Sequence, residues 1–314
     1  MKRALVTGAT GMLGSYVALR LRREGWEVRA LCRRPEEAGW LSDRDIELAP
    51  GDLVDARSVR TAAGTCRAVV HAAAIIGTRG GVERFREVNV GGTRNVVAAA
   101  AAEGARLVHV SSTAVFGRAR YRSEPTDESA PLPDLPVWDA YGRTKQESER
   151  LVLEAHRQGR IRATVVRPPV MYGVRDRQFM PRIGPVLERG VFPLVEGGRA
   201  TLALVHADSV ADGVVRALER DGAAGRIYHL TNDFEVTVAD LARHARGTLE
   251  MLTRDNPFTS LRARRELGWA PAVPPSEGLP EAFRWWRSAS APPRWPDERP
   301  HRSNSPHRRR GPPA

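Results

Sequence analysis

Short runs of Val, Leu, Ile and Ala alternate along the first half of the chain with longer stretches whose apolar positions recur at helical spacing. The runs at 4–7, 27–31, 46–49, 68–71, 107–111 and 164–167 predict buried strands. The amphipathic stretches at 12–23, 56–63, 82–102 and 141–158 predict helices between them. Strand then helix, repeated, means parallel pairing through right-handed crossovers, so the fold class is α/β with a doubly wound parallel sheet. After residue 167 the alternation becomes irregular, punctuated by Pro168, Pro169, Pro181, Pro185 and Pro193. This change predicts a main domain over 1–167, to which some later segments return, and a smaller substrate-binding lobe over 168–287. The lobe is expected to lie over the carboxyl edge of the sheet, where such sheets bind ligands. Within it, the stretch from Ala203 reads as a strand feeding a helix capped by Asp208 or Ser209, and Trp285 and Trp286 mark a terminal helix packing on the lobe.

Composition narrows the class. The 314 residues suffice for one large domain with a smaller lobe. The two cysteines, Cys32 and Cys66, are far apart and have no partner at metal-ligand spacing, so neither a disulfide framework nor a metal site is expected. His71, His109 and His206 sit in or beside apolar runs and read as structural histidines. Neither a signal peptide nor a membrane span is read, and a soluble, cytoplasmic protein is expected. The net charge of +12 raises nucleic acid as a partner, but six arginines and seven prolines lie in 288–314, which carry +4 of it. That tail is expected to be disordered. Elsewhere Arg and Glu mix along helical faces and no recognition motif accompanies the charge, so neither a nucleic-acid nor a membrane partner is expected.

The segment TGATGMLG follows the first strand and opens the first helix. Gly8 permits a tight turn, Gly11 lets the helix N-terminus approach a pyrophosphate, and Gly14 allows close packing of helix on strand. With Thr7, Thr10, Met12 and Leu13 these residues form a candidate dinucleotide site, and the sheet reads as a Rossmann fold. At the end of the second strand Cys32 stands where an NAD site would carry an acid, followed by Arg33 and Arg34. Two guanidiniums there suit a 2'-phosphate, which favours NADP(H), with NAD(H) as the alternative. Asp52 and Leu53 are candidate walls for the adenine, and His71, Ala72 and Ala73 end the fourth strand beneath the pyrophosphate.

YGRTK places Tyr141 and Lys145 one turn apart on a helix face. An adjacent ammonium is expected to lower the phenol and make it a usable proton carrier. Ser111, Ser112 and Thr113 lie at the carboxyl end of the fifth strand, where a hydroxyl can hold a reacting oxygen.

TGATGMLG, GDL, HAAA, VNVGGT, SSTAVFG, YGRTK and RPPVMYG, in this order, resemble the extended branch of the short-chain dehydrogenase/reductase superfamily, the NAD-dependent epimerases and dehydratases. The resemblance covers roughly 1–287. It implies that Tyr141 is the catalytic acid/base, that Lys145 binds the nicotinamide ribose and tunes Tyr141, and that Ser112, with Thr113 as fallback, holds the substrate oxygen. It further implies that Pro168 flanks the nicotinamide and that Asn89 supports the hydrogen-bond chain. A homodimer through 82–102 and 141–158 is implied by the resemblance alone. Dehydratases of the family carry acidic residues where Thr113 and Ala114 stand, so dehydration is not expected. The span 237–256 is shorter than in relatives.

The reading this supports is hydride transfer between NADP(H) and a secondary alcohol or ketone. An epimerase that keeps NAD bound while acting on a nucleotide-sugar is the first alternative. A non-catalytic NADP sensor is the second, and the complete Ser, Tyr and Lys set argues against it.

Overall fold

The computed structural model describes residues 2–76, 81–117, 125–189, 202–232 and 258–288. The basic tail beyond 288 and the short span 237–256 lie outside them. The strands are β1 Arg3–Thr7, β2 Glu27–Cys32, β3 Ile46–Pro50, β4 Ala68–His71, β5 Arg106–Val110, β6 Arg162–Arg167, β7 Val170–Tyr172, β8 Leu204–His206 and β9 Ile227–His229. Seven of them form one sheet in the order β3-β2-β1-β4-β5-β6-β9, parallel throughout, while β7 and β8 pair separately. The chain starts mid-sheet, runs outward through β2 and β3, then crosses back to β4. The crevice of a doubly wound sheet therefore opens between the carboxyl ends of β1 and β4.

The helices are α1 Met12–Arg23, α2 Gly39–Ser42, α3 Ala56–Ala63, α4 Gly81–Phe85, α5 Gly92–Ala102, α6 Ala140–Arg157, α7 Met180–Arg189, α8 Ala207–Glu219, α9 Leu261–Leu267 and α10 Pro275–Arg287. Leu5, Val69, Leu107 and Val165 pack one face of the sheet against α3, α5 and α6, and Ala4, Val70, Val108 and Val166 pack the other against α1 and α8. Both faces are covered, which is why the strands read as continuous apolar runs. A smaller cluster of Tyr172, Phe179, Met180, Ile183, Leu204 and Leu279 joins β7, β8, α7 and α10. Trp286 packs on this cluster, whereas Trp285 packs on the main one.

Two local expectations change. The stretch read as one helix over 82–102 contains a π-helical segment, Arg86–Gly91, between α4 and α5. The wider turn places Asn89 inside, 2% exposed, and leaves its carbonyl to accept from the hydroxyls of Thr93 (2.6 Å) and Ser148 (2.9 Å). The cap of α8 is neither Asp208 nor Ser209. His206 Nδ1 accepts from the Asp208 N–H at 3.2 Å, its ring held edge-on between Tyr16 and Tyr172. Asp208 turns to Arg20, and the Ser209 hydroxyl accepts from the N–H groups of Ala272 and Val273.

Candidate active site

The glycine turn closes tightly. Gly8 adopts φ +75, and a Cβ there would meet Ala73 N at 2.8 Å; a Cβ on Gly14 would meet the Gly8 carbonyl at 2.1 Å. Gly11 caps α1 with no side-chain hydrogen bond, and the first turn of the helix holds no acid. The leading N–H groups and the helix dipole are thus left for an anion, a cradle that fits a dinucleotide diphosphate.

Beneath the turn, a hydrogen-bonded chain has a determined direction. Thr93 gives its one hydroxyl proton to the Asn89 carbonyl, so its oxygen must accept from His71 Nε2 at 3.0 Å. His71 Nδ1 is then the acceptor for the Thr7 hydroxyl at 2.8 Å, and Thr7 in turn accepts from Ala73 N at 3.3 Å. Burial pushes the imidazole down to about 3, with Lys145 adding to the effect, so it stays neutral. His71 is therefore a bridge behind the cleft rather than part of its wall. Asn89 also stands behind the wall, its side chain accepting from Ile75 N at 2.8 Å and donating to the Thr144 hydroxyl at 3.1 Å.

A cleft of about 420 Å³ runs along the carboxyl edge. Thr7, Gly8, Thr10, Gly11, Met12, Leu13 and Gly14 line it near the turn, and Arg33, Asp52, Leu53, Ala72 and Ala73 line it beside them. Arg34 does not line it; its guanidinium pairs with Glu37 at the surface. Pro168 is buried behind the wall, where its carbonyl accepts from Thr113 N at 3.0 Å. Residues the sequence reading passed over also line the cleft: Ile75, Ile76, Met171, Arg175 and Arg177. The RPPVMYG run pointed to this neighbourhood, but the reach of the two arginines depends on how the following loop folds.

Tyr141 and Lys145 share the cleft from the first turns of α6. Asp139 caps that helix, accepting from Gly142 N at 2.8 Å. Burial pushes the Tyr141 phenol up to about 12; a hydrogen bond with Ser112 opposes this and the Asp139 carboxylate adds to it. The expected lowering by Lys145 is absent; the ammonium donates instead to the Val110 carbonyl at 2.7 Å. Burial lowers Lys145 itself to about 8, against the pull of Glu149 one turn on. Glu149 and Arg167 form a two-pronged ion pair with both side chains 2% exposed, and the Arg167 guanidinium lies 5.1 Å from the Phe116 ring centre. Ser112 caps the turn Thr113–Phe116, accepting from Ala114 N at 3.1 Å, and Ser111 rather than Ser112 faces the cleft wall.

A glycine turn opening α1, a parallel sheet whose strand order reverses at β1, and a Tyr–Lys pair facing the same cleft define a Rossmann-type dinucleotide enzyme. Residues 4–231 match the family model described as NAD dependent epimerase/dehydratase family. The chain belongs to that family, in the extended short-chain dehydrogenase/reductase superfamily, and is an NAD(P)-dependent enzyme. It is 34% identical over 279 residues to a 4-hydroxy-2-methyl-3-oxo-4-farnesyl-3,4-dihydroquinoline-1-oxide ketoreductase of Stigmatella aurantiaca, covering 87% of this chain and 82% of that one. It is 31% identical over 248 residues to a 2-alkyl-3-oxoalkanoate reductase of Stenotrophomonas maltophilia, covering 76% and 73%. Among solved structures, dTDP-glucose 4,6-dehydratase from Streptomyces venezuelae with NAD and TYD bound superposes with a TM-score of 0.76 at 26% identity, over 91% of this chain and 97% of that one. No helix among the described residues is long and apolar enough to cross a membrane.

Proposed function

We propose that the chain is an NADP(H)-dependent ketoreductase, moving a hydride between the dinucleotide and a secondary alcohol or ketone. The observation that carries this reading is that Arg33, the glycine turn and the Tyr141–Lys145 pair all line one cleft. The nicotinamide, when bound, supplies or accepts the hydride.

The chain's own residues do the rest. The N–H groups opening α1 hold the diphosphate, and Arg33 meets the 2'-phosphate as a charge-assisted donor. Ser112 hydrogen-bonds the Tyr141 phenol from behind, which positions the one hydroxyl of the pair that lines the cleft against a substrate carbonyl oxygen. A phenol held near 12 is protonated at neutral pH, which suits it to give its proton to the oxygen of a ketone under reduction. Lys145, lining the same cleft as Tyr141, is placed to hold the nicotinamide ribose. The apolar wall of Ile75, Ile76, Val88 and Met171 supports a ketone flanked by an alkyl or prenyl substituent, in keeping with the substrates named for the two reductase relatives.

An NAD-dependent nucleotide-sugar epimerase is the second reading; the withdrawal of Arg34 onto Glu37, which leaves one of two expected cations at the 2'-phosphate position, favours it. Parallel titrations with NADPH and NADH, followed by turnover assays on 3-oxo-alkyl ketones and on nucleotide-sugars, decide between them. Tighter NADH binding, or dinucleotide that co-purifies and stays bound through turnover, would overturn the reductase reading.

A further inference from the structure

Two arginines among the described residues are more than nine-tenths buried, and their surroundings differ. Arg167, 2% exposed, is matched by Glu149. Arg175, 8% exposed, has no carboxylate partner among the described residues. Its Nη2 donates to the Thr10 carbonyl at 3.1 Å, its guanidinium lies 3.9 Å from the ring centre of Trp40, and its Nε is buried without a hydrogen bond. The adjacent acid is already engaged: the Asp176 carboxylate accepts from the N–H groups of Gln178, Phe179 and Met180 at 2.7–2.9 Å. Arg177, next in the loop, adds like charge. Burial and Arg177 pull Arg175 down to about 10, so it stays cationic at neutral pH. A buried cation without a counter-ion is unfavourable unless an anion comes to it.

The backbone points the same way. Arg175 adopts φ +70, in the left-handed region that side chains other than glycine seldom occupy, and such conformations concentrate at ligand sites. The result is a guanidinium fixed by Trp40 and Thr10 in the cleft that Gly8, Gly11 and Arg33 also line. A planar fork held over an indole is preorganised for phosphate oxygens.

We propose that Arg175 is a phosphate-binding residue of this cleft, reaching in from the loop between β7 and α7 to take a phosphate group of the dinucleotide. The proposal rests on the dinucleotide reading above. Because the neighbouring Asp176 accepts from the N–H groups that lead into α7, phosphate binding at Arg175 also ties the smaller cluster to the glycine turn.

The test is titration of NADPH and NADH, followed by nicotinamide fluorescence, on the wild type, Arg175→Met and Arg175→Lys. The Met variant should bind NADPH at least tenfold more weakly, and the Lys variant, which keeps the charge, should recover part of the loss. A loss confined to NADPH assigns the guanidinium to the 2'-phosphate; an equal loss with NADH assigns it to the diphosphate, and both support the proposal. The thermal midpoint of the unliganded Met variant should match or exceed that of the wild type, because the charge removed had no partner. A Met variant that binds both nucleotides as the wild type does overturns the proposal, whatever its midpoint. If the wild type binds neither nucleotide, the dinucleotide reading fails by itself, and inorganic pyrophosphate becomes the probe. Stabilisation of the wild type that is lost in the Met variant then upholds the anion site, and no stabilisation of the wild type overturns it. Should the Met variant fail to fold, Arg175→Gln carries the same measurements.

Discussion

The Lys145 ammonium donates to the Val110 carbonyl at 2.7 Å, which ties the first turns of α6 to the carboxyl end of β5, immediately before the serines. The bond fixes where the ammonium sits in the cleft that Tyr141 also lines. It does not fully offset the loss of water, since burial still brings the amine down to about 8. Folded, the group holds its proton less firmly than an ordinary lysine, so the unfolded chain binds more protons between about pH 8 and the usual lysine range. Its contribution to stability therefore rises with pH across that window. Activity should run the opposite way: as Lys145 loses its proton, the charged donor proposed to hold the nicotinamide ribose is lost, and kcat/KM should fall on an alkaline limb near pH 8. Glu149→Gln removes the carboxylate that favours the ammonium and should move this limb to lower pH. A limb that stays in place in that variant would separate it from Lys145.

Replacing Tyr141 by Phe removes the only proton that the phenol can give while keeping the ring. Turnover should fall by about 10²–10⁴-fold, the usual contribution of general acid–base catalysis. Nucleotide binding should change by less than about twofold, because the diphosphate is held at the glycine turn rather than by this ring. Retained turnover in Tyr141→Phe would remove the role assigned to the hydroxyl.

Arg33 lines the cleft and has no ion-pair partner among the described residues, whereas Arg34 is paired with Glu37. Arg33→Ala should weaken NADPH by roughly 10- to 100-fold, the worth of one or two charge-assisted hydrogen bonds, and leave NADH nearly unaltered. Arg34→Ala should affect neither by more than a few-fold. Equal losses for both nucleotides in Arg33→Ala would place that guanidinium away from the 2'-phosphate.

His71 bridges Thr7 and Thr93 as a neutral ring. With its folded value depressed to about 3, the unfolded chain takes up a proton here that the folded chain refuses, so stability is lost as pH falls below about 6.5. His71→Leu should cost about 1–3 kcal/mol at pH 7, because two buried hydroxyls lose a partner, and should flatten the acid-side loss. Urea denaturation at pH 7, 6 and 5 measures both effects, and an unchanged acid slope would show that His71 does not titrate on unfolding.

The parallel sheet, the glycine turn and the Tyr141–Lys145 pair were legible because each is written in local spacing. Period and run length tell which faces are buried, three glycines three apart mark a close approach, and a four-residue interval puts two side chains on one helix face. The π-helical turn at Asn89 was not legible, since the 82–102 pattern suits an ordinary helix equally well. The partners that Asn89 meets there, Ile75 and Ser148, are distant in the chain. The His206 cap escaped for a similar reason: its ring is oriented by Tyr16 and Tyr172, not by its neighbours in sequence.

Sequence by itself determined the class of this protein, through a strand, turn and helix that make an anion cradle and a phenol and amine one turn apart, because those relationships span only a few residues. Tertiary structure alone decided which arginine meets the cleft, which hydroxyl stands against the phenol, how the phenol and amine titrate, and that Arg175 is brought to the glycine turn. Those outcomes depend on burial and on partners more than a hundred residues away in some cases, as with Thr10 and Arg175, and no local pattern carries the position of a distant carbonyl or the loss of water around a charge.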